Sequence, residues 1–460
     1  MDSLLPEHFS GQKACRIFLL QTLLLSGIVS ILFMSSPFSV PAIAGQVEFS
    51  SSMNPVGSGA RAAGMGGAFI AVADDATAAS WNPAGLIHLE KPEISVVYSY
   101  FNRGHDYHST AHPELGGTTH GIDMHDINYA SIAYPFTLLD RNMIITVNYQ
   151  RLYDMNKKAL FNYSENLSGG DFINNTISFK QDGYLGAISP AIAIQILPEF
   201  YFGATVNIWD DVFGTSSWGF TENGTGTGKM FGADYFEKFQ WSEKNTFSGL
   251  NANLGLLYTL MGKYSFGFVF KTPFTSSVNN RSHFESEISI PSIGFFSKPP
   301  PEDKVSNLKI DMPLSYGFGF AYRHSDSLTF ALDIYRTQWS DYAITEESGK
   351  KKNPISGAPL EQGKPKDTTQ VRVGAEYLYI GNKLTVPLRG GIFYDPEPGM
   401  QKINDFFGFS VGSGVSYDRI AFDFSYQYRW GNRVSADIAQ SGISSNINQH
   451  TVMTSLIYHF

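Results

Sequence analysis

The sequence predicts an all-β chain: a transmembrane antiparallel β-barrel of about 14 strands, its lumen closed by an N-terminal plug. Three observations carry this expectation. Segments of about ten residues alternate apolar and polar side chains with period two, as a wall between lipid and water requires. The connections between them alternate short and long. An export signal opens the chain, and nothing after it is apolar for long enough to cross a membrane as a helix.

The export signal comes first. Lys13 and Arg16 precede an apolar run from Ile17 to Met34, and Ala42-Ile43-Ala44 offers a small-residue cleavage site before Gly45. Residues 1–44 therefore read as a signal peptide, 45–92 as the plug and 93–460 as the barrel. The apolar run exceeds the ~7 to 15 residues of an ordinary signal core, so an uncleaved inner-membrane anchor is the competing reading. Cys15, the only cysteine, lies ahead of the run, which excludes thiol catalysis and thiolate metal sites from the exported chain.

Composition narrows the function classes. Charged residues make up 16% of the chain, against about 25% in ordinary soluble domains, while aromatics reach 14%. A net charge of -9 gives no basic footprint for nucleic acid. Gly57-Ser58-Gly59 lacks the strand and helix that a nucleotide-binding loop needs, and no GxSxG elbow appears. Neither an enzyme nor a cofactor is expected.

The strands follow from residue 93. Ile420, Phe422, Phe424, Tyr426, Tyr428 and Trp430 fall on one face, with Ala421, Asp423, Ser425, Gln427 and Arg429 on the other. The same split separates Leu314, Tyr316, Phe318 and Phe320 from Ser315, Gly317 and Gly319. Strands are placed near 93–101, 126–136, 142–153, 176–195, 200–210, 240–260, 263–273, 308–323, 326–339, 368–380, 384–394, 406–416, 419–430 and 448–460, with 280–290 as a possible extra arm. Short periplasmic turns then alternate with long extracellular loops at 102–125, 154–175, 211–239, 274–307, 340–367 and 431–447. The chain ends on an apolar alternation, Val452 to Phe460, and this terminal Phe460 resembles the signal that barrel-assembly machinery reads in outer-membrane barrels.

Residues 57–85 are dense in Gly and Ala, side chains small enough for irregular backbone to pack inside a lumen. The stretch NPVGSGARAAGMGGAFIAVADDATAASWNPAGL at 54–86 resembles the N-terminal plug of the FadL/TodX family of channels for long-chain fatty acids and hydrophobic compounds, with the plug motif on Asn82, Pro83, Ala84 and Gly85. DMPLSYGFGFAYRHSDSLTFALDIYRTQWSDY at 311–342, and VRVGAEY with LRGGIFYDPEP within 371–398, extend the likeness. GARAAGMGGAF is also similar to PorV-like proteins, which share the barrel but serve protein secretion, so a secretion component with no small-molecule transport is the alternative. The family resemblance implies passive uptake: capture at outer loops, transfer to an apolar pocket under the plug, and sideways release through the wall.

The candidate ligand residues are apolar side chains in two predicted loops: Trp218, Phe220, Phe231, Phe236, Ile290, Ile293, Phe295 and Phe296. By similarity to the family, these loops form an outer groove; packing of the loops on one another is the plain reading. A carboxylate headgroup needs a buried cation, and Arg61, Arg372 and Arg389 are candidates. The structural reading, preferred here, pairs such cations with Asp333, Glu376 and Asp423 to hold the plug. His105, His108, His112, His120 and His125 match no zinc spacing and read as a solvated loop, so no metal is expected. Expected partners are a hydrophobic small molecule, outer-membrane lipid and the assembly machinery.

Overall fold

The computed structural model describes residues 57–109, 119–212, 215–399, 402–435 and 443–460; the predicted signal peptide, residues 45–56 and His112 lie outside them. The barrel wall is built from Glu93–Ser109, Thr119–Leu138, Arg141–Asp154, Phe172–Leu197, Phe200–Trp209, Ala233–Leu260, Tyr264–Lys271, Ser315–Arg323, Leu328–Thr337, Thr368–Ile380, Leu384–Tyr394, Phe406–Tyr417, Ile420–Ser435 and Ile443–His459. Each pairs antiparallel with its neighbour in this order, and the last closes on the first, from Glu93 opposite His459 to Ser109 opposite Ile443. This is a closed 14-strand barrel. No described helix is long and apolar enough to cross a membrane; the strands do so.

Burial is inverted relative to a soluble protein. Ile420, Phe422 and Phe424 are exposed, whereas Asp423, Ser425 and Arg429 between and beyond them are buried. The pleat puts alternate side chains on opposite faces, so the apolar set meets lipid and the polar set meets the lumen. On the outside, aromatics stack across strands, with Tyr264 against Tyr322 at 5.3 Å and Phe266 against Phe320 at 5.3 Å.

Four of the predicted long loops instead hold strands that carry the wall outward beyond the membrane. Ser216–Met230 inserts between Phe172–Leu197 and Ala233–Leu260, so that Leu185 faces Ser216 and Ser217 faces Thr246. Phe274–Ile290 pairs on one side with Ala233–Leu260 and on the other with Glu302–Met312. His105 faces His120 within a ladder that runs to Asp106 and Thr119. Lys157–Asn166 adds a fourth outer strand, alongside Phe172–Leu197. These segments are rich in Thr, Asn, Gly and charge on both faces because water lies outside them and a wet vestibule inside, which erased the alternation that marked the membrane span.

The predicted strand 308–323 is two. Pro313 has no N–H to give the ladder, and there the chain leaves its outer partner, Phe274–Ile290, and joins Tyr264–Lys271. Inside the outer extension, burial pushes the Glu222 carboxyl up to about 7 and also raises Glu237, which accepts a 2.6 Å hydrogen bond from the Tyr235 hydroxyl. Among the described residues no three His, Cys, Asp or Glu side chains are grouped to hold a metal.

Candidate functional site

Irregular backbone inside a lumen leaves peptide groups that must find partners. Residues 57–89 contain only short helical pieces, Ala60–Gly64, Ala78–Trp81 and the 3-10 turn Pro83–His88. The wall supplies the partners from around the barrel. Ser455 Oγ accepts from Ala60 N at 2.8 Å, Gln427 donates to the Ala63 carbonyl at 2.8 Å, and Ser410 Oγ accepts from Gly66 N and donates to Gly64 O. Asp333 accepts from the amides of Phe69 and Ile70, Tyr129 donates to Ala76 O, and Thr205 donates to Ala79 O.

The plug motif is locked by the same logic. Asn82 Nδ2 donates to Ile70 O at 2.9 Å and to Leu256 O at 3.0 Å, tying plug to plug and plug to wall, and its Oδ1 caps the turn that Pro83 starts by accepting from Ala84 N. The wall facing it carries no side chain: a Cβ on Gly203 would stand 2.2 Å from Pro83 C, and one on Gly255 would stand 2.1 Å from Asn82 Oδ1. Across the lumen, a Cβ on Gly374 would stand 2.3 Å from Met65 O and one on Gly391 2.4 Å from Gly66 N. Gly85 is equally constrained, its Cβ position lying 2.1 Å from Ala73 O. At these glycines plug backbone therefore lies directly on wall backbone.

All three candidate headgroup arginines serve the plug. Arg61 pairs with Glu376 at 2.9 Å and with Asp74, and Arg389 reaches the same Glu376 at 2.6 Å and also Asp423. Arg372 donates to Gly66 O at 3.3 Å and pairs with Asp395 at 3.5 Å. In so dry a setting each charge persists only with a partner, so these cations are engaged rather than offered to a ligand.

A second cluster of lumen side chains lies one layer outward. Two residues beyond Thr205 and Gly255 along their strands, Asn207 and Asn253 join Asn251 in an amide floor; Asn207 donates to Asn251 at 3.1 Å and accepts from Ser189 Oγ at 2.9 Å. Lys271, Asn207, Asn251, Asn253, Trp209 and Tyr153 help line a small, partly open cleft of about 30 Å³. Above the floor the lining turns apolar: Trp209 stacks on Phe274 and on Tyr153, and Trp218, Phe247 and Met312 continue the cluster. Trp339, Tyr342, Ile344 and Ile355, from the segment between Leu328–Thr337 and Thr368–Ile380, drop into it from above and are almost fully buried. The chamber is roofed, and largely filled, by the chain's own side chains.

The profile of the family described as "Outer membrane protein transport protein (OMPP1/FadL/TodX)" matches residues 44–456. The chain belongs to the OMPP1/FadL/TodX family. It is thus a transport protein of the outer membrane and not an enzyme. Among solved structures it is similar to a Pseudomonas aeruginosa FadL homologue, at 13% identity and TM-score 0.60, covering 90% of this chain and 100% of that one. It is also similar to the Pseudomonas putida toluene transporter TodX, at 15% identity and TM-score 0.52 over 88% and 98%, and to the CymD monoaromatic hydrocarbon channel, at 15% identity and TM-score 0.51 over 88% and 98%. No curated protein matches significantly.

In this family member the eight apolar candidates do not form one groove. Trp218 joins the chamber, while Phe220 packs on Phe179 in a second aromatic cluster with Tyr107 and Phe161. Phe231 sits exposed at a hairpin tip; Ile293 and Phe296 are exposed on the outer extension, Phe236 and Phe295 half-buried, and Ile290 buried. The sequence did not single out the amide floor or the roof. Asn251 and Asn253 at strand spacing were the available signal for the floor; Trp339 and Tyr342 fall in the family-like stretch 311–342, but nothing there marked them as buried, because their burial comes from a long-range fold.

Proposed function

We propose that this family member passes amphipathic or aromatic hydrophobic molecules, long-chain fatty acids or monoaromatic hydrocarbons, passively inward through the roofed chamber. The observation that carries the reading is the chamber itself: aromatic walls over a floor of amides and one buried lysine, Lys271. An apolar body gains about 25 cal/mol per Å² on leaving water for such walls, and a polar end finds hydrogen-bonding groups already placed below. The toluene and monoaromatic-hydrocarbon channels among its structural neighbours support the apolar side of this choice.

The many hydrogen bonds and close backbone contacts between plug and wall favour a sideways exit. Between Phe172–Leu197 and Phe200–Trp209 the ladder pairs Ala187 with Trp209, Ile188 with Ile208 and then Ala191 with Thr205, skipping Ser189–Pro190 and Val206–Asn207. Pro190 has no N–H to donate. This seam lies directly behind the amide floor, and we assign the wall opening to it; lateral release spares the apolar cargo a passage through water.

Small molecules retained by protein extracted from membranes, identified by mass spectrometry, give the cargo class. The Lys271→Met variant is expected to weaken retention of a carboxylate ligand at least about tenfold, roughly 1.4 kcal/mol, while a hydrocarbon of equal length binds as before. Equal loss for both would remove Lys271 from recognition, and an empty chamber with bound secreted proteins would favour the secretion reading.

Two further proposals concern biogenesis. Cleavage after Ala44 yields the mature chain, and Phe460, exposed at the barrel's end, serves as the assembly signal. Phe460→Ala is expected to lower the fraction of heat-modifiable, folded barrel in the outer membrane without changing its stability once refolded in detergent.

A further inference from the structure

The periplasmic ends of the strands are not alike around the barrel. Tyrosines mark the interface near these ends on both sides: Tyr134, Tyr201, Tyr258 and Tyr264 on one, and Tyr322, Tyr379, Tyr417 and Tyr458 on the other. Such an aromatic girdle is where a barrel leaves hydrocarbon for headgroups. On the second side the turns beyond it are polar: His324-Ser325-Asp326, Gly381-Asn382-Lys383 and Asp418-Arg419. On the first side, two of three neighbouring turns place large apolar residues at their tips: Leu139 is 87% exposed and Met261 77%, beyond strand-end residues such as Leu197 and, on the other side, Ile380, each 57% exposed.

Two of these residues occupy backbone that ordinarily selects against them. Leu139 has φ 50° and Met261 φ 54°, the left-handed region in which Gly, Asn or Asp is the usual choice. The polar turn at Asp418, φ 51°, shows the ordinary solution. Leu139 and Met261 each present a bulky apolar side chain, highly exposed and in a backbone conformation that disfavours it.

The three turns are also braced into one rim. Arg141 in the first donates to the Ile196 carbonyl in the second, Asn142 donates to Gln195 at 2.8 Å, and Thr259 N, leading into the third, donates to Glu199 O at 2.9 Å. Tyr201 closes the second turn on itself through Pro198 O at 2.9 Å. The exposed charges between the apolar tips, Asp140, Glu199 and Lys263, suit a headgroup zone. The rim is continuous with the lipid-facing side chains of the same strands, Ile132, Ile145, Ile192 and Val206.

We infer that this rim inserts into the periplasmic leaflet, so that the Thr119–Lys271 side of the barrel sits deeper in the membrane than the opposite side. Its occupant is phospholipid, because the surface extends an existing lipid contact rather than starting a separate patch. The deep side is the one that carries the Ser189–Pro190 seam. The inference itself rests on the turns and not on the transport reading.

Site-directed nitroxide labels test it in full-length protein reconstituted in phosphatidylethanolamine–phosphatidylglycerol vesicles. A Cys15→Ser background removes the only native cysteine, and labels go at Leu139→Cys, Leu197→Cys and Met261→Cys, with Asp326→Cys and Asn382→Cys as the polar-side references. The first three are expected to collide with oxygen several-fold more than with a water-soluble nickel chelate, and the two references to show the reverse. Equal chelate access at all five positions overturns the inference. Labels on the rim that are immobilised and shielded from both reagents also overturn it, by placing a protein there instead of lipid.

Discussion

Gly203→Ala is expected to unseat the plug and open the pore, although it adds a single methyl group. The added Cβ would meet the backbone of Pro83 and Ala84 at 2.2 to 2.4 Å, and neither can yield, because Asn82 is pinned to both the plug and the wall. Overpacking usually costs ~1 to 3 kcal/mol; here the cheapest relief is for the plug, held by hydrogen bonds, to leave the wall, held by a closed ladder. Planar-bilayer recordings should show stable ion conductance where the parent is nearly silent, and residues 57–89 should become open to protease in a barrel that remains heat-modifiable. Gly390→Ala is the control, since its Cβ would meet nothing nearer than 3.9 Å. A silent, protease-resistant Gly203→Ala barrel would show that the plug accommodates the methyl, and that the contact ring does not hold it in place.

A disulfide across the wall seam should stop transport while leaving the plug untouched. Ser189 Oγ and Asn207 Oδ1 already stand 2.9 Å apart across the unpaired stretch, so Ser189→Cys with Asn207→Cys places two sulfurs within bonding reach after small rotations. Oxidised protein is expected to lose about tenfold or more of its uptake rate for a fluorescent fatty acid in vesicles, about 1.4 kcal/mol on the barrier, and reductant should restore it. The reduced double variant is the reference, which removes the effect of losing Asn207 itself. Equal rates in both redox states would place the exit elsewhere and leave the chamber assignment standing, since ligand retention is measured separately.

The sequence by itself determined the barrel. Alternation with period two is a local property, and where lipid lies on one side and water on the other it can be read strand by strand; this located all fourteen wall strands and their short turns. The Gly- and Ala-dense stretch at 57–85 was the sign of irregular backbone packed inside the lumen, because backbone on backbone leaves no room for larger side chains. Charge balance in a dry lumen anticipates the Arg61–Glu376, Arg389–Glu376 and Arg389–Asp423 pairs, whereas Arg372 pairs with Asp395 and Asp333 binds plug amides instead.

Only the tertiary structure decided the rest. Outside the membrane both faces of a strand meet water, so the strand at 216–230 read as loop, 274–290 only in part as an extra arm at 280–290, and 302–312 only from 308 onward. The chamber depends on which residues of different strands share a level in the barrel, a matter of register and tilt, so the Asn251/Asn253 spacing alone did not announce that Asn207 and Lys271 meet them. Trp339 and Tyr342 look like loop residues in one dimension. Their place in the roof is set by the closure of the whole wall around them, and only that closure turns scattered aromatics into an enclosed volume.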